Sequence, residues 1–280
     1  MTHILNLIRF KISIFILFSA LVGYFYNKVE LNSKLLLTLS GVFFLASACS
    51  ALNQIEEEDI DSAMVRTKIR PIPLKAFSKR KAALICVILF MVAFTCFTLL
   101  ANLFVIITAL FTVIVYNFLY TPLKQKTTYA ILIGALIGAT PPLIGYLAAG
   151  YVPLNYKIIV FIFTFYIWQI PHFWFLTEIY KNDYKKVRIP TLQKLLSKRK
   201  YEAILDIWIV TFIATLLFLP LLSIIEITYY KYIIYVLIAI YSIFYIYFKN
   251  NKKLLFINHN LLMGLVMLVI LTERIILRNS

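Results

Sequence analysis

The sequence predicts an all-α integral membrane protein, a bundle of nine transmembrane helices, and three observations predict it. Of the 280 residues, 62% are apolar and 14% charged, where a soluble domain is nearer half apolar and a quarter charged. Apolar stretches almost free of charge recur along the chain, each close to the roughly 20 residues that a bilayer-spanning helix needs. The Lys and Arg residues gather in alternate joins between those stretches. A soluble single domain is excluded. With 7 Gly and 9 Pro, so are a collagen-like and a low-complexity disordered chain.

Taken in order, the spans are expected near 12–27, 35–53, 82–100, 102–121, 129–149, 158–176, 203–223, 229–248 and 254–272. The first has the look of a secretory h-region, but the equally apolar runs after it make the chain integral, and it is read as a retained helix. An odd number of helices puts the termini on opposite sides. Placing the N-terminus in the cytoplasm puts 22 of the 28 basic residues there, as the positive-inside rule requires. The C-terminus is then outside the cell membrane, and the two long polar stretches, 54–81 and 177–202, share the cytoplasmic face. This distribution explains the net charge of +16 through membrane lipids, with no nucleic acid partner. Cys49, Cys86 and Cys96 lie inside apolar runs without CxxC spacing, so they read as small buried hydrophobes rather than as disulfides or a zinc site. The whole of 1–280 is expected to form one polytopic domain.

The chemistry concentrates in the two long loops. Glu56, Glu57, Glu58, Asp59 and Asp61 crowd five of the twelve acidic residues into six positions at the end of the second span, and such crowding is repulsive unless a cation is bound. If the helix continues past the span, Asn53, Glu57 and Asp61 fall at i, i+4 and i+8 on one stripe, with about 6 Å of rise between members. A row of oxygen donors suits Mg²⁺, which prefers a few carboxylates, retained water and substrate phosphate. Glu56, Glu58 and Asp59 point elsewhere. Arg66 and Arg70 follow at once, before Pro71 and Pro73 turn the chain, and their guanidinium forks match phosphate oxygens. The bland alternative is a solvated helix end with positive-inside anchoring, which suits Lys75, Lys79, Arg80 and Lys81 better than it suits the two arginines.

Further along, Gly134 and Gly138 stand four apart, a spacing that permits close helix contact. Pro141-Pro142 is expected to kink or break the fifth helix. The sixth helix ends in Trp168-Gln169-Ile170-Pro171-His172-Phe173-Trp174. An imidazole at membrane depth needs a partner, so His172 serves either a core hydrogen bond or a reaction. Asp183 is the lone carboxylate of the second loop that can face the first stripe. His259, between Asn258 and Asn260 in the ninth span, reads as interhelical packing.

The run from Asn53 through Glu57, Asp61, Met64, Arg66-Thr67 and Arg70-Pro71 resembles the first aspartate-rich motif of the UbiA superfamily of membrane prenyltransferases. Tyr120 to Gly145, and Pro171-His172-Phe173-Trp174 followed by Asp183-Tyr184 and Ile189-Pro190, are similar to its protohaem IX farnesyltransferase branch. The resemblance implies the superfamily's all-helical bundle and Mg²⁺ as cofactor, with farnesyl diphosphate and haem b as substrates. It implies metal binding by Asn53, Glu57, Asp61 and Asp183, diphosphate binding by Arg66, Arg70 and Lys124, and a place for the haem beside His172 and Trp174. A downstream haem-modifying enzyme or terminal oxidase assembly would take the product. The chain departs from the family pattern in four places: Glu57 replaces the usual Asp, and Gln125, Arg188 and Thr191 replace the usual Arg, Gly and Met. Asp183 also lacks the second carboxylate of a DxxxD pair. A quinone prenyltransferase should show that pair and lack Pro171-His172-Phe173-Trp174. A transporter would spread its acids along a path rather than cluster them in one loop.

Overall fold

The computed structural model describes residues 2–150 and 155–279. Two short helices, α1 (Thr2–Leu7) and α4 (Glu58–Ala63), flank α2 (Phe10–Asn27) and α3 (Ser33–Glu56). Next come α5 (Lys79–Leu99) and α6 (Leu103–Val113), which runs on through a π-helical turn, Ile114–Tyr120, into α7 (Thr121–Leu123). The order ends with α8 (Ala130–Ala149), α9 (Tyr156–Ile179), α10 (Lys181–Lys186), α11 (Leu192–Leu195), α12 (Lys198–Leu221), α13 (Thr228–Tyr247) and α14 (Lys252–Asn279). Among the described residues nine helices are long and apolar enough to cross a membrane, the fourth being α6 to α7 as one rod. Each overlaps an expected span. The differences lie at the ends, where the helices run past the apolar core into charged turns. Polar side chains set several of those starts: Asn32, Ser78, Asn155 and Ser197 each accept a hydrogen bond from the backbone N–H three residues on, satisfying donors that a helix start leaves open.

The chain divides into two compact units, Met1–Tyr151 with Asn182–Ile189, and Val152–Lys181 with Pro190–Ser280. In the first, α2 packs on α8 and α3 on α5. The α2–α8 approach depends on glycine: a Cβ on Gly145 would stand 1.9 Å from the Ala20 carbonyl oxygen, and one on Gly23 would stand 2.0 Å from that of Pro142. Gly134 instead makes room for the Tyr120 ring. Of the kink or break expected at Pro141-Pro142, a break is excluded, for α8 is helical throughout with both prolines inside it. Pro141 deprives the Ile137 carbonyl of its usual donor, and the Thr140 hydroxyl donates to that oxygen at 2.9 Å instead, a repair open to helices at membrane depth.

In the second unit α9 packs on α12 and α14, and α13 on α12 and α14. His259 does the packing expected of it. Its Nδ1 meets the Tyr241 hydroxyl at 2.9 Å and its Nε2 the Trp168 carbonyl at 2.9 Å, so three helices meet on one imidazole. Cys49 and Cys86 are buried free thiols, and Cys96 is half-buried.

Candidate active site

The acidic stripe survives a break in its helix. Helix α3 ends at Glu56, Glu57 takes a non-helical conformation, and α4 starts at Glu58, so the expected continuous extension is absent. The i to i−4 bonds nevertheless carry across it: Glu57 N–H donates to Asn53 O at 3.0 Å and Asp61 N–H to Glu57 O at 2.7 Å. Asn53, Glu57 and Asp61 therefore keep one line, and all three are buried, with exposures of 1%, 4% and 2%. Polar groups buried to that degree require partners.

Each has a cation as its partner. Arg9 Nη2 donates to Asn53 Oδ1 at 3.0 Å, Lys124 pairs with Glu57, and Arg70 pairs with Asp61 at 2.5 Å. The Asn53 amide donates to Thr121 Oγ1 at 3.2 Å, which orients its oxygen toward Arg9. The neighbouring acids turn away as expected: Glu58 pairs with Lys79 at 2.6 Å, Asp59 is exposed, and Glu56 accepts from Asn117 at 3.2 Å.

Lys124 owes its position to the π-helical turn, a distortion that sequence patterning does not signal and that is frequent at functional sites. Within it Tyr116 and Tyr120 stack with centroids 5.9 Å apart. The Lys124 ammonium lies 5.4 Å from the Tyr120 ring centre, within range of a cation–π attraction. Asn117 ties the turn to α3 by donating to Cys49 O at 3.2 Å.

Arg9 is the residue that sequence reasoning missed. It sits between α1 and α2 at φ 47°, in the left-handed region, a conformation that costs a non-glycine residue about 1–2 kcal/mol. Strain of this kind collects at functional sites. The basic groups also crowd one another. Burial, with help from neighbouring Arg9 and against Asp61, lowers the Arg70 guanidinium to about 10. Burial likewise lowers Lys124, against the attraction of Glu57.

Asp183, from α10, points both carboxylate oxygens at the 64–70 loop, accepting from Val65 N–H at 3.0 Å and Arg66 N–H at 3.1 Å. Burial pushes its carboxyl up, but those two N–H groups outweigh it and hold it below the ordinary value. Thr67 Oγ1 adds a bond to Asp61 O at 3.1 Å. The loop that carries Arg66 and Arg70 is thus fastened to both acidic segments. Among the described residues no three of His, Cys, Asp and Glu converge into a metal group. The stripe offers two carboxylates and an amide oxygen, a donor set that suits Mg²⁺, which takes few protein ligands and completes its shell with water and phosphate.

In the second unit His172 is half-buried, with Nδ1 on Asn260 Oδ1 at 2.8 Å. Trp174 lies two residues on, and hence on another face of α9. It packs against Tyr201 and Trp208 at 6.4 and 6.2 Å. The aromatics around His172 are Trp168, Phe173 and Phe256.

The profile of the UbiA prenyltransferase family matches residues 16–262. The protoheme IX farnesyltransferase of Nitratidesulfovibrio vulgaris is 33% identical over 220 residues, covering 79% of this chain and 77% of that protein. That of Geobacter sulfurreducens is 33% identical over 197 residues, covering 68% and 70%. Among solved structures, digeranylgeranylglyceryl phosphate synthase superposes with a TM-score of 0.76 at 20% identity over 98% of each chain. A UbiA homologue from Archaeoglobus fulgidus, bound to GPP and Mg²⁺, superposes with a TM-score of 0.71 at 14% identity, covering 97% of this chain and 99% of that one.

Proposed function

The chain belongs to the UbiA prenyltransferase family and is a multi-pass membrane prenyltransferase, and we propose that it makes haem O from haem b and farnesyl diphosphate. The two compact units act as one prenyltransferase domain over 1–280, since the family match runs through both. The basic-residue distribution supports a cytoplasmic N-terminus and cytoplasmic loops 54–81 and 177–202, with the enzyme in the cell membrane.

One observation carries the diphosphate half of the proposal. A buried stripe of Asn53, Glu57 and Asp61 has each oxygen donor matched by a basic side chain, Arg9, Lys124 and Arg70 in turn. Mg²⁺ and a diphosphate add two positive charges to the stripe and an anion to the cations, so both sets gain their complement. Asn53, Glu57 and Asp61 hold the metal, and Asp183 is the carboxylate that the second loop adds while it fastens the Arg66 loop. Bound Mg²⁺ supplies charge neutralisation to the departing diphosphate. Arg66, Arg70 and Lys124, joined by Arg9, bind the phosphate oxygens. Their charge is fixed in place before the reaction, so it favours the state in which negative charge has moved onto the leaving group.

The bond between the allylic carbon and the bridging oxygen breaks, and its electron pair leaves with diphosphate. The vinyl π electrons of haem b form the new carbon–carbon bond to the farnesyl cation. Water adds to the resulting cation and loses a proton, giving a hydroxyethylfarnesyl chain. Aromatic faces suit both the isoprenoid and the porphyrin, and His172, with Trp174 behind it on α9, marks the haem side. The relatives named for protoheme IX support that acceptor. Membranes containing the chain, supplied with labelled farnesyl diphosphate and either haem b or 4-hydroxybenzoate, test the reading. Label is expected in the haem fraction alone, and label in the aromatic acid alone would refute it.

A further inference from the structure

Two histidines stand near each other in the second unit, and their hydrogen bonds divide their roles. His259 has both ring nitrogens engaged, by Tyr241 and by the Trp168 carbonyl. His172 has one engaged. Asn260 Nδ2 donates to the Phe256 carbonyl at 2.6 Å, which fixes the amide so that Oδ1 faces the imidazole. An amide oxygen only accepts, so the proton of a neutral His172 must sit on Nδ1, where the 2.8 Å contact is made. Nε2 then carries the lone pair. Among the described residues nothing hydrogen-bonds to it, and the residue as a whole is half-buried.

A histidine arranged this way has three possible tasks toward the acceptor. Binding a porphyrin carboxylate requires an N–H, and Nε2 of this tautomer has none. A base that takes a proton becomes an imidazolium, and a carboxylate on the other nitrogen is what stabilises that charge. Here the partner is a neutral amide, and the ring lies against Trp168 and Phe256, with both centroids at 5.0 Å. Ligation of a metal needs a neutral ring with one free lone pair and an acceptor on the far nitrogen to fix tautomer and orientation. The contacts of His172 and Asn260 meet that requirement.

We infer that His172 Nε2 is an axial ligand to the iron of the acceptor haem, and that Asn260 is the positioning residue that holds the imidazole in the ligating tautomer. The inference rests on haem b being the acceptor. Iron ligation tethers the macrocycle by its centre and leaves its vinyl edge free to meet the farnesyl cation. Trp168 and Phe256 supply flat apolar walls beside the ring.

The test uses the full chain in lipid nanodiscs, titrated in parallel with ferric haem b and with metal-free protoporphyrin IX. The wild type should bind haem with the absorption and electron paramagnetic resonance signature of an imidazole ligand. His172→Ala should lose that signature and bind haem more weakly, while its affinity for protoporphyrin IX stays unchanged, and added free imidazole should restore the signature. Asn260→Leu should reduce haem affinity roughly 10- to 100-fold, again sparing the metal-free porphyrin. Asn260→Asp should keep the ligand and make the iron harder to reduce, because a charged acceptor raises the basicity of the ring. If His172→Ala keeps the imidazole signature, or loses haem and protoporphyrin IX affinity together, the iron assignment is overturned while farnesyl transfer to haem stands. If the wild type binds neither porphyrin and transfers no farnesyl to haem, the acceptor reading itself fails.

Discussion

Removing the carboxylate of Asp61 separates a functional pair from a structural one. Asp61 has a side-chain exposure of 3% and Arg70 one of 17%, with 2.5 Å between them. Asp61→Asn leaves a largely buried guanidinium without its counter-charge, which costs about 3 kcal/mol of stability in well-buried pairs. It also withdraws a ligand from the proposed metal stripe. A charge-stabilising group at a dry site contributes about 3–4 kcal/mol to the transition state, so turnover should fall by about 10²- to 10³-fold, at 1.36 kcal/mol per decade. The two effects separate in the double variant Asp61→Asn/Arg70→Gln. It restores charge balance and should recover thermal stability measured in detergent, but not turnover. Product formation and its Mg²⁺ dependence are measured on membranes normalised for folded protein. If the double variant regains near wild-type turnover with unchanged Mg²⁺ dependence, the pair only holds the loop, and the reasoning that puts metal on the stripe is refuted.

Three further outcomes are expected. Arg9→Gln should raise the KM for farnesyl diphosphate about 10- to 100-fold, the loss of a charge-assisted hydrogen bond of about 1.5–3 kcal/mol, with Arg9→Lys intermediate; initial rates against farnesyl diphosphate concentration check this. Gly145→Ala should lower the thermal midpoint in detergent, since its Cβ would meet the Ala20 carbonyl oxygen at 1.9 Å and overpacking costs about 1–3 kcal/mol. Single cysteines at positions 66 and 185 should react with impermeant thiol reagents only from the cytoplasmic side, and labelling from outside would overturn the proposed orientation.

The nine spans were legible because length and apolarity answer directly to bilayer thickness. The spacing of Asn53, Glu57 and Asp61 was legible because backbone i to i−4 bonding persists through the break at Glu57. What sequence spacing cannot show is which cation meets which acid. Arg9 reaches Asn53 across 44 residues, and nothing in its neighbourhood distinguishes it from an anchoring charge. The π-helical turn was hidden for a related reason: Ile114–Tyr120 has the apolar content of any span. At Pro141 the helix continues where a break was one of the two expected outcomes, and the Thr140 hydroxyl satisfies the Ile137 carbonyl that the proline leaves without a donor. Asp183 was expected opposite the stripe, and its observed bonds run to backbone N–H groups of the loop. Arg188 shows what replacing a glycine entails, for it holds φ 54° at a position where the family usually has Gly.

The most direct test of the central claim follows the atoms into the haem. Membranes containing this chain, given farnesyl diphosphate, haem b and Mg²⁺ in oxygen-18 water, are extracted, and the pigments are separated and weighed by mass spectrometry. A haem that has gained a farnesyl group and a heavy oxygen is expected, with no such product when the metal is chelated. Unmodified haem alongside a prenylated aromatic acid, or a farnesylated haem formed equally well without divalent metal, would contradict it.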